Sequence, residues 1–474
     1  MIRPTVRVAR PGEADYVSAT QVFNLAAPLH PAAAVTARSV AQVGEAVEYA
    51  AAHGMPVRVH GAGHASATSA PMEGCLLVRT MIDGGVEVDA SRRVARVPAG
   101  TSWGAVVEAA LPHGLTAPHG SSPLVGVVGY LLRGGLSFYG RRTGLAVNCL
   151  RAIELVTSDG KARWVDASSD PDLWWAIRGG GGGFGIVTAV EIDLLPVGRV
   201  VTGAAFWPAE DAARLLPRWA EWTRHAPRAA TTSLRLMRLP TLPGIIPAEL
   251  SAGPVLCIDG AVSSTGEDDW PNALGHAEEL LGPLRSIAAP IVDSWRPATA
   301  EAVLTAHLDP PEPVPTSTDH LLLTELDDDG LREFLRVTGP GSGSPLVDAE
   351  LRQLGGAFAV PDPAGGVLSH VDAPYAYVGA GLPDSAEAAA AIAQHHGVVR
   401  TALGRWDTGR TAPTFAGRRE HPQGHLSPSQ LALVDRIREA VDPVRMFAGD
   451  VAAHHLRPGS PDRNDREVAR HDHR

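Results

Sequence analysis

The chain has 474 residues and a formal charge of −11, from 52 acidic side chains against 41 Lys and Arg, which argues against nucleic-acid binding and fits a protein acting on a small or neutral substrate. Hydrophobic residues make up 45%, enough for large cores in two or three domains, while the longest apolar runs are too short and too rich in glycine to span a bilayer, so no membrane partner is expected. The opening MIRPTVRVARPGEADY lacks the apolar stretch of a signal peptide, which predicts a cytoplasmic protein, and three dispersed cysteines, Cys75, Cys149 and Cys257, suggest neither a disulfide framework nor a cysteine metal site.

Ser39 and Gln42 fit a capping box that opens a helix with Val40, Val43 and Val47 on one face, and Gly54 fits its C-terminal end. MPVRV then runs extended into VRVHGAGH, residues 57–64, a strand ending in a glycine turn that presents His64 at its exit. The residues alone leave that histidine open to four roles: core residue, catalytic base, metal ligand or cofactor anchor. VEVDASRRVARVPAG reads as two short strands. TSWGAVVEAALPHGL reads as a helix with Trp103, Val106, Val107, Ala110 and Leu111 at core spacing and Gly114 at its end. A glycine-dense stretch without a clear period follows, PHGSSPLVGVVGYLLRGGLSFYGRRTG, and then a hairpin, AIELVTSDGKARWV, turning at Asp159–Gly160. The segment from Ser168 to Val197 gives a helix with Pro171 in its first turn, a glycine run, and a strand with Glu191 and Asp193 pointing outward.

Near residue 198 the glycine clusters thin out. Strand-like pieces (LVDAELRQLGGAFAV, PYAYVGAG) mix with helical ones (AEDAARLLPRWAEWTRH, SAEAAAAIAQHHGVV), the pattern of an antiparallel sheet covered by helices. One more helix, SPSQLALVDRIREAVDP, lies near the end, and residues 456–474 are charged and short of apolar side chains, which predicts disorder. Three glycine clusters, 61–63, 120–135 and 179–185, lie in the first half of the chain. Glycine allows close backbone approach, so its N–H groups can converge on an anion such as pyrophosphate. Neither the phosphate-loop pattern nor a G-x-G-x-x-G between a first strand and helix is present, which disfavours both common nucleotide folds.

Taken together, VRVHGAGH, ARVPAGTSWGAVVEAA, GSSPLVGVVGYLLRGGLS, RRTGLAVNCLRAIELVTSDG and DPDLWWAIRGGGGGFGIVTAVEIDLLPV resemble, in order and separation, the FAD-linked oxidases of the berberine bridge enzyme type, which belong to the vanillyl-alcohol oxidase superfamily and carry a PCMH-type FAD-binding domain. The resemblance runs from Pro56 to Pro196 and continues more weakly through DAELRQLGGA to REAVDPVRMFAGD. It implies an α+β protein: a two-part FAD-binding domain of the vanillyl-alcohol oxidase type (1–198, with 405–455 returning to it) and an antiparallel-sheet substrate domain covered by helices (199–404). It implies an oxidase that takes a hydride from an alcohol, sugar or secondary-metabolite scaffold to flavin N5 and passes the electrons to O2. An oxidative cyclase or oxygenase of natural-product biosynthesis, or a flavin-holding binding protein that has lost catalysis, stands as the alternative.

By the same resemblance, His64 anchors FAD through the 8α-methyl group. The cofactor is lined by Val59, His60, Gly61, Ala62, Gly63 and Ala65, by Gly120, Ser121, Ser122, Val125, Gly126, Gly129, Tyr130 and Gly135, by Asn148, and by Gly185, Ile186 and Val187. Ser122 stands where some relatives carry a second, cysteinyl tether, which implies a single bond. Arg133 stands where a glycine is usual and reaches either phosphate or solvent. Asn148 replaces a frequent aspartate, and His60 and Ala62 replace the usual Arg and Gly of the turn. The tyrosine that serves some members as base is missing, because Thr414 and Phe415 occupy the matching end of TAPTFAGR. Glu350 and Tyr377 are then the candidate bases. If DAELRQ is a strand, Glu350 and Arg352 share one face and Leu351 and Gln353 the other, while Tyr375 and Tyr377 share a face of the next strand. Which face looks at the flavin is left open.

Overall fold

The computed structural model describes residues 6–242, 246–419, 421 and 424–449; the stretch expected to be disordered, 456–474, lies outside them. After a short helix, Ala14–Ala19, and a first strand, the helix Val40–Ala52 is capped as its sequence suggests: the Ser39 side chain accepts from the Gln42 N–H at 3.2 Å. The Gln42 side chain, however, accepts from the N–H of Arg38 rather than from that of the cap residue. This helix covers a parallel three-stranded sheet ordered Ala33–Ala37, Leu76–Thr80, Val57–His60. Its Val43 and Val47 share a core with Val35, Val57 and Val78.

An antiparallel sheet of five strands follows, ordered Glu87–Asp89, Val94–Pro98, Ile186–Asp193, Leu150–Val156, Ala162–Val165. The helix Trp103–Ala110 buries Trp103, Val106, Val107 and Ala110 against it, and Gly114 ends the following turn at a φ of 67°. Leu111, expected in the helix, begins a 3-10 turn instead because Pro112 follows it. Residues Met446 and Phe447 come back to the first sheet: the Val57 N–H donates to the Met446 carbonyl at 2.8 Å.

A second antiparallel sheet, eight-stranded among the described residues, spans Val200–Gly381. Its central order is Val200–Pro208, Val255–Ser263, Ala230–Met237, Asp348–Gln353, Tyr375–Gly381, Ser317–Leu323. Side chains alternate across such a sheet, and the two faces have opposite chemistry. Leu234, Ala349, Leu351, Tyr375 and Tyr377 join the helices Ala212–His225, Trp270–Ile287, Asp328–Thr338 and Ala386–Leu403 in one apolar core. The other face carries Arg235, Asp259, Asp348, Glu350 and Arg352 and looks toward the cofactor segments, since the Arg352 guanidinium lies 4.8 Å from the Phe138 ring centroid.

The two layers meet at the helix Gly140–Thr143. Arg141 donates to the carbonyls of Ala230 in the large sheet and of Leu354 just past its strand Asp348–Gln353, and a Cβ at position 140 would run into the fully buried Phe358 ring. Gly140→Ala is therefore expected to lower unfolding stability by about 1–3 kcal/mol, the usual cost of overpacking a filled core. Urea denaturation measures it, and an unchanged midpoint would show that the ring gives way.

Candidate active site

The turn after Val57–His60 brings most of the first group of expected cofactor residues together. Gly63 takes a φ of 75° and packs against Val22, where any side chain would collide with backbone 2.6 Å away; beside Gly61 there is open space. His64 stacks face to face on Phe23, with ring centroids 3.9 Å apart. Its ring hydrogen-bonds the Leu124 backbone, while Nε2 is buried with no hydrogen-bond partner. Burial pushes its pKa down, against that hydrogen bond and the field of Asp309, so the ring is neutral and keeps a lone pair. His60 is bonded through Nε2 to the Ala19 carbonyl at 2.7 Å and leaves Nδ1 buried without a partner. Val59 is exposed, and Ala65 closes the turn by accepting from Thr68.

The second glycine cluster meets the first. Gly126 lies beside Ala62, and its neighbour Val125 accepts from the N–H of Trp103. Gly126 also opens a short helix, Val127–Leu132, that the glycine density of the sequence concealed. Gly129 borders open space. Gly120 and Gly135 pack against the ring of Tyr130, whose hydroxyl is buried without a partner. Ser122 is buried and accepts from the Leu124 N–H, and Ser121 donates to the Asp309 carboxylate at 2.6 Å. Arg133 does not reach solvent: it is buried and donates to Thr68 beside the first turn. The third cluster touches the second where the Gly181 N–H donates to the Leu132 carbonyl.

Not every expected residue points into this cradle. Ile186 and Val187 send their side chains into two different cores, and Gly185 backs onto the Val156 carbonyl, so these three offer a cofactor backbone only. Asn148 donates to the Ser369 carbonyl at 2.8 Å, tying two segments together, with Oδ1 buried and unpartnered. The cradle otherwise suits a flavin dinucleotide: converging backbone, open space at Gly61 and Gly129, and buried polar atoms of His60, His64 and Tyr130 that lack partners.

Facing it is the polar side of the large sheet. Glu350, 3% exposed, accepts from Arg352 Nε at 2.5 Å. The Arg352 guanidinium lies between the rings of Phe138 and Phe415, at 4.8 and 5.5 Å from their centroids. Phe415, which takes the place of the missing tyrosine, thus reaches the site as an aromatic wall without a proton to exchange. Arg235 pairs with Asp348 at 2.7 Å and with Asp259 at 3.3 Å. Asp259 is fully buried; burial alone would raise its carboxyl, yet His307, Arg235 and Ser233 hold it at about 2.

Tyr377 must be withdrawn as a candidate base. The register pairs it with Leu351, on the helix-covered face, and it is fully buried against Phe334 with its hydroxyl unpartnered. The period-two alternation of the strand puts it on the opposite side of the sheet from Glu350. Its neighbour Tyr375 faces the same way and bonds Thr223. Two functional candidates, Asp259 and His307, escaped sequence reasoning. The signal for Asp259 was a single carboxylate inside the otherwise apolar VLCIDGAV; His307, in TAHLDP, gave none.

Three glycine turns thus converge opposite a buried acid–base cluster, an arrangement that suits a dinucleotide cofactor. Residues 31–166 match the FAD binding domain family. The whole chain has the fold of a berberine bridge enzyme-like protein of Physcomitrella patens, at a TM-score of 0.78 and 21% identity over 97% of this chain and 98% of that one. It is likewise similar to the glucooligosaccharide oxidase of Acremonium strictum, whose FAD is described as 6-S-cysteinyl, 8α-N1-histidyl, with a TM-score of 0.75 and 19% identity over 96% of this chain and 98% of that one. In sequence it is 36% identical over 209 residues to an FAD-dependent monooxygenase of Fusarium proliferatum, 44% of this chain and 40% of the relative. The chain spans about half or less of the length of the curated relatives it matches. Residues 31–166 thus carry an FAD binding domain, and the chain shares the fold of berberine bridge enzyme-like proteins. Among the described residues, no helix is long and apolar enough to cross a membrane.

Proposed function

We propose that the protein is an FAD-dependent oxidase in which FAD is held by a single covalent bond through His64, and that it oxidises an alcohol, a sugar or a secondary-metabolite scaffold with O2 as electron acceptor. The observation that carries this reading is the placement of Glu350 and Arg352, buried and paired, on the sheet face that looks into the glycine cradle. When bound, the flavin supplies the acceptor for the electron pair of a substrate C–H bond. Glu350 removes the proton of the substrate hydroxyl, and Arg352 offers N–H groups to the oxygen as charge develops there. Phe138 and Phe415 flank the Arg352 guanidinium and exclude water from it. Ser122 has no sulfur to form a second tether, and the neutral, partnerless Nε2 of His64 leaves that ring available for the first. The small molecule and O2 are the only partners this chemistry requires.

Acid-denatured protein run on a gel tests the tether. The band is expected to fluoresce yellow, to stay bright in Cys149→Ser and to go dark in His64→Ala. Peroxide release with a panel of alcohols and sugars tests the reaction. Colourless protein that added FAD does not reconstitute would overturn the reading. Flavin reduction without peroxide would point to oxygenation, as the name of the Fusarium proliferatum relative suggests.

A further inference from the structure

Burial creates a problem for Glu350. A carboxylic acid that is 3% exposed has no ready route for its proton to bulk water, and until the proton leaves, the base is unavailable for another turnover. The group beside it is His307, on a turn whose backbone is strained. Leu308 adopts a φ of 56°, a left-handed conformation that costs a leucine roughly 1–2 kcal/mol and persists only where the surroundings impose it. The turn sends His307 inward, Leu308 out to solvent, and Asp309 to Ser121 of the cofactor segment.

The His307 ring is held at both ends. Nδ1 lies 2.9 Å from Asp259 Oδ2, and Nε2 lies 3.0 Å from Arg352 Nη2 and 3.7 Å from Glu350 Oε2. The Phe138 ring meets it edge-on at 5.7 Å, and Arg235 donates to its backbone carbonyl. A guanidinium only donates, so Nε2 carries a lone pair in this arrangement and the ring proton sits on Nδ1, aimed at Asp259. The alternatives at Nε2 exclude each other: the neutral ring accepts from Arg352, whereas a protonated ring must give its new N–H to Glu350. The charged groups that face the ring are Asp259 and Arg235 from the two central strands, Asp348, Glu350 and Arg352 from the third, and Asp309 from its own turn.

Resting on the reading of Glu350 as the base, we propose that His307, fixed by Asp259, takes the proton that Glu350 has removed from the substrate. In that step the Glu350 O–H bond breaks and an N–H bond forms at His307 Nε2. Imidazole becomes imidazolium, paired with Asp259, and the carboxylate is restored. Only a proton moves; no electrons are transferred. The release of Arg352 Nη2 from Nε2 leaves that donor free to bind the substrate oxygen. His307 acts through Glu350 and is a positioning residue. The local charges favour the role: burial and Arg235 work against a proton on the ring, but Asp259 and Glu350 outweigh them and its pKa stands above the ordinary imidazole value.

The test follows the ring itself and needs no substrate. In FAD-loaded protein labelled with 15N-histidine, the resonance lost in His307→Gln is expected to show an Nδ1–H neutral ring at high pH and to titrate above about 6.5. In Glu350→Gln and in Asp259→Asn the midpoint is expected to fall by about one unit or more. Should His307→Gln not fold, the resonance that moves in both of the other variants identifies the ring. A ring that stays neutral down to about pH 5, or a midpoint indifferent to Glu350→Gln, overturns the relay. The Glu350 reading fails separately, if Glu350→Gln still reduces its flavin at the wild-type rate with an alcohol from the panel. If Glu350→Gln is slow but His307→Gln keeps the wild-type pH profile, the relay alone is wrong.

Discussion

Lowering the pH from about 6.5 to about 5 is expected to lower the folding stability strongly, because the described residues bury a set of neutral histidines. His119, His320, His421 and His425 are each at most 4% exposed. Burial lowers them to about 4, 3, 4 and 3 respectively. His320 is committed to the neutral form by geometry as well, since its Nε2 accepts from the Ala412 N–H at 3.1 Å. In the unfolded chain these rings take a proton near pH 6.5, whereas in the native state they resist it until the pH approaches about 4 or about 3. Their contribution is therefore complete above about pH 6.5 and is lost as the pH falls toward the native values. Each group costs up to roughly 1.4 kcal/mol per pH unit once the unfolded ring is mostly protonated, so four of them between about pH 6.5 and about pH 5 cost about 6 kcal/mol, a large share of the stability of a typical domain. His307, whose pKa is raised, works in the opposite sense, but it is one ring against four. Calorimetric melting temperatures at a series of pH values measure the effect. A melting temperature that is flat between pH 7 and 5 would mean that these rings find partners or water in the native state.

Arg235→Met is expected to destabilise the fold by about 3–5 kcal/mol, although the new side chain matches the old in bulk. Arg235 is the shared cation of Asp259 and Asp348, and it also donates to the His307 carbonyl. Its removal leaves the fully buried Asp259 and the partly buried Asp348 short of a counter-charge, which costs far more than the ion pairs gain when intact. Adding Asp348→Leu to the same chain is expected to restore much of the loss, since an apolar pair of similar volume has no charge to desolvate. Chemical denaturation of the single and double variants decides the matter. If the double variant is no more stable than Arg235→Met alone, the penalty lies in packing rather than in charge.

Local chemistry was legible wherever a residue type has only one use. Ser39 before a helix, Pro171 at the first turn of another, Gly114 after a third and the alternation of the Ile186–Asp193 strand all stand where their patterns put them. Glycine density worked in both directions: it marked segments that converge around His64, and it hid the Val127–Leu132 helix, whose apolar residues share their stretch with Gly126 and Gly129. The acid–base cluster was legible only in part. Alternation placed Glu350 and Arg352 on one face of their strand, but nothing local says which face of a sheet its helices will cover, and that choice separates Glu350 from Tyr377. Asp259, His307 and Glu350 come from three distant parts of the chain, and only the order of strands in the sheet brings them within reach of one another.

The hydrogen bond from Val57 to the Met446 carbonyl has a consequence for biosynthesis. A ribosome delivers the strand Val57–His60 long before it delivers Met446, so the sheet that leads into the glycine turn at His64 spends most of translation without its last edge contact and without the apolar cover of Met446 and Phe447. The large sheet, whose paired strands all lie between Val200 and Gly381, has no such wait. The half of the molecule that is made first is thus the half that is finished last, and a cofactor enters a cradle whose closing piece arrives only when nearly four hundred further residues have been made.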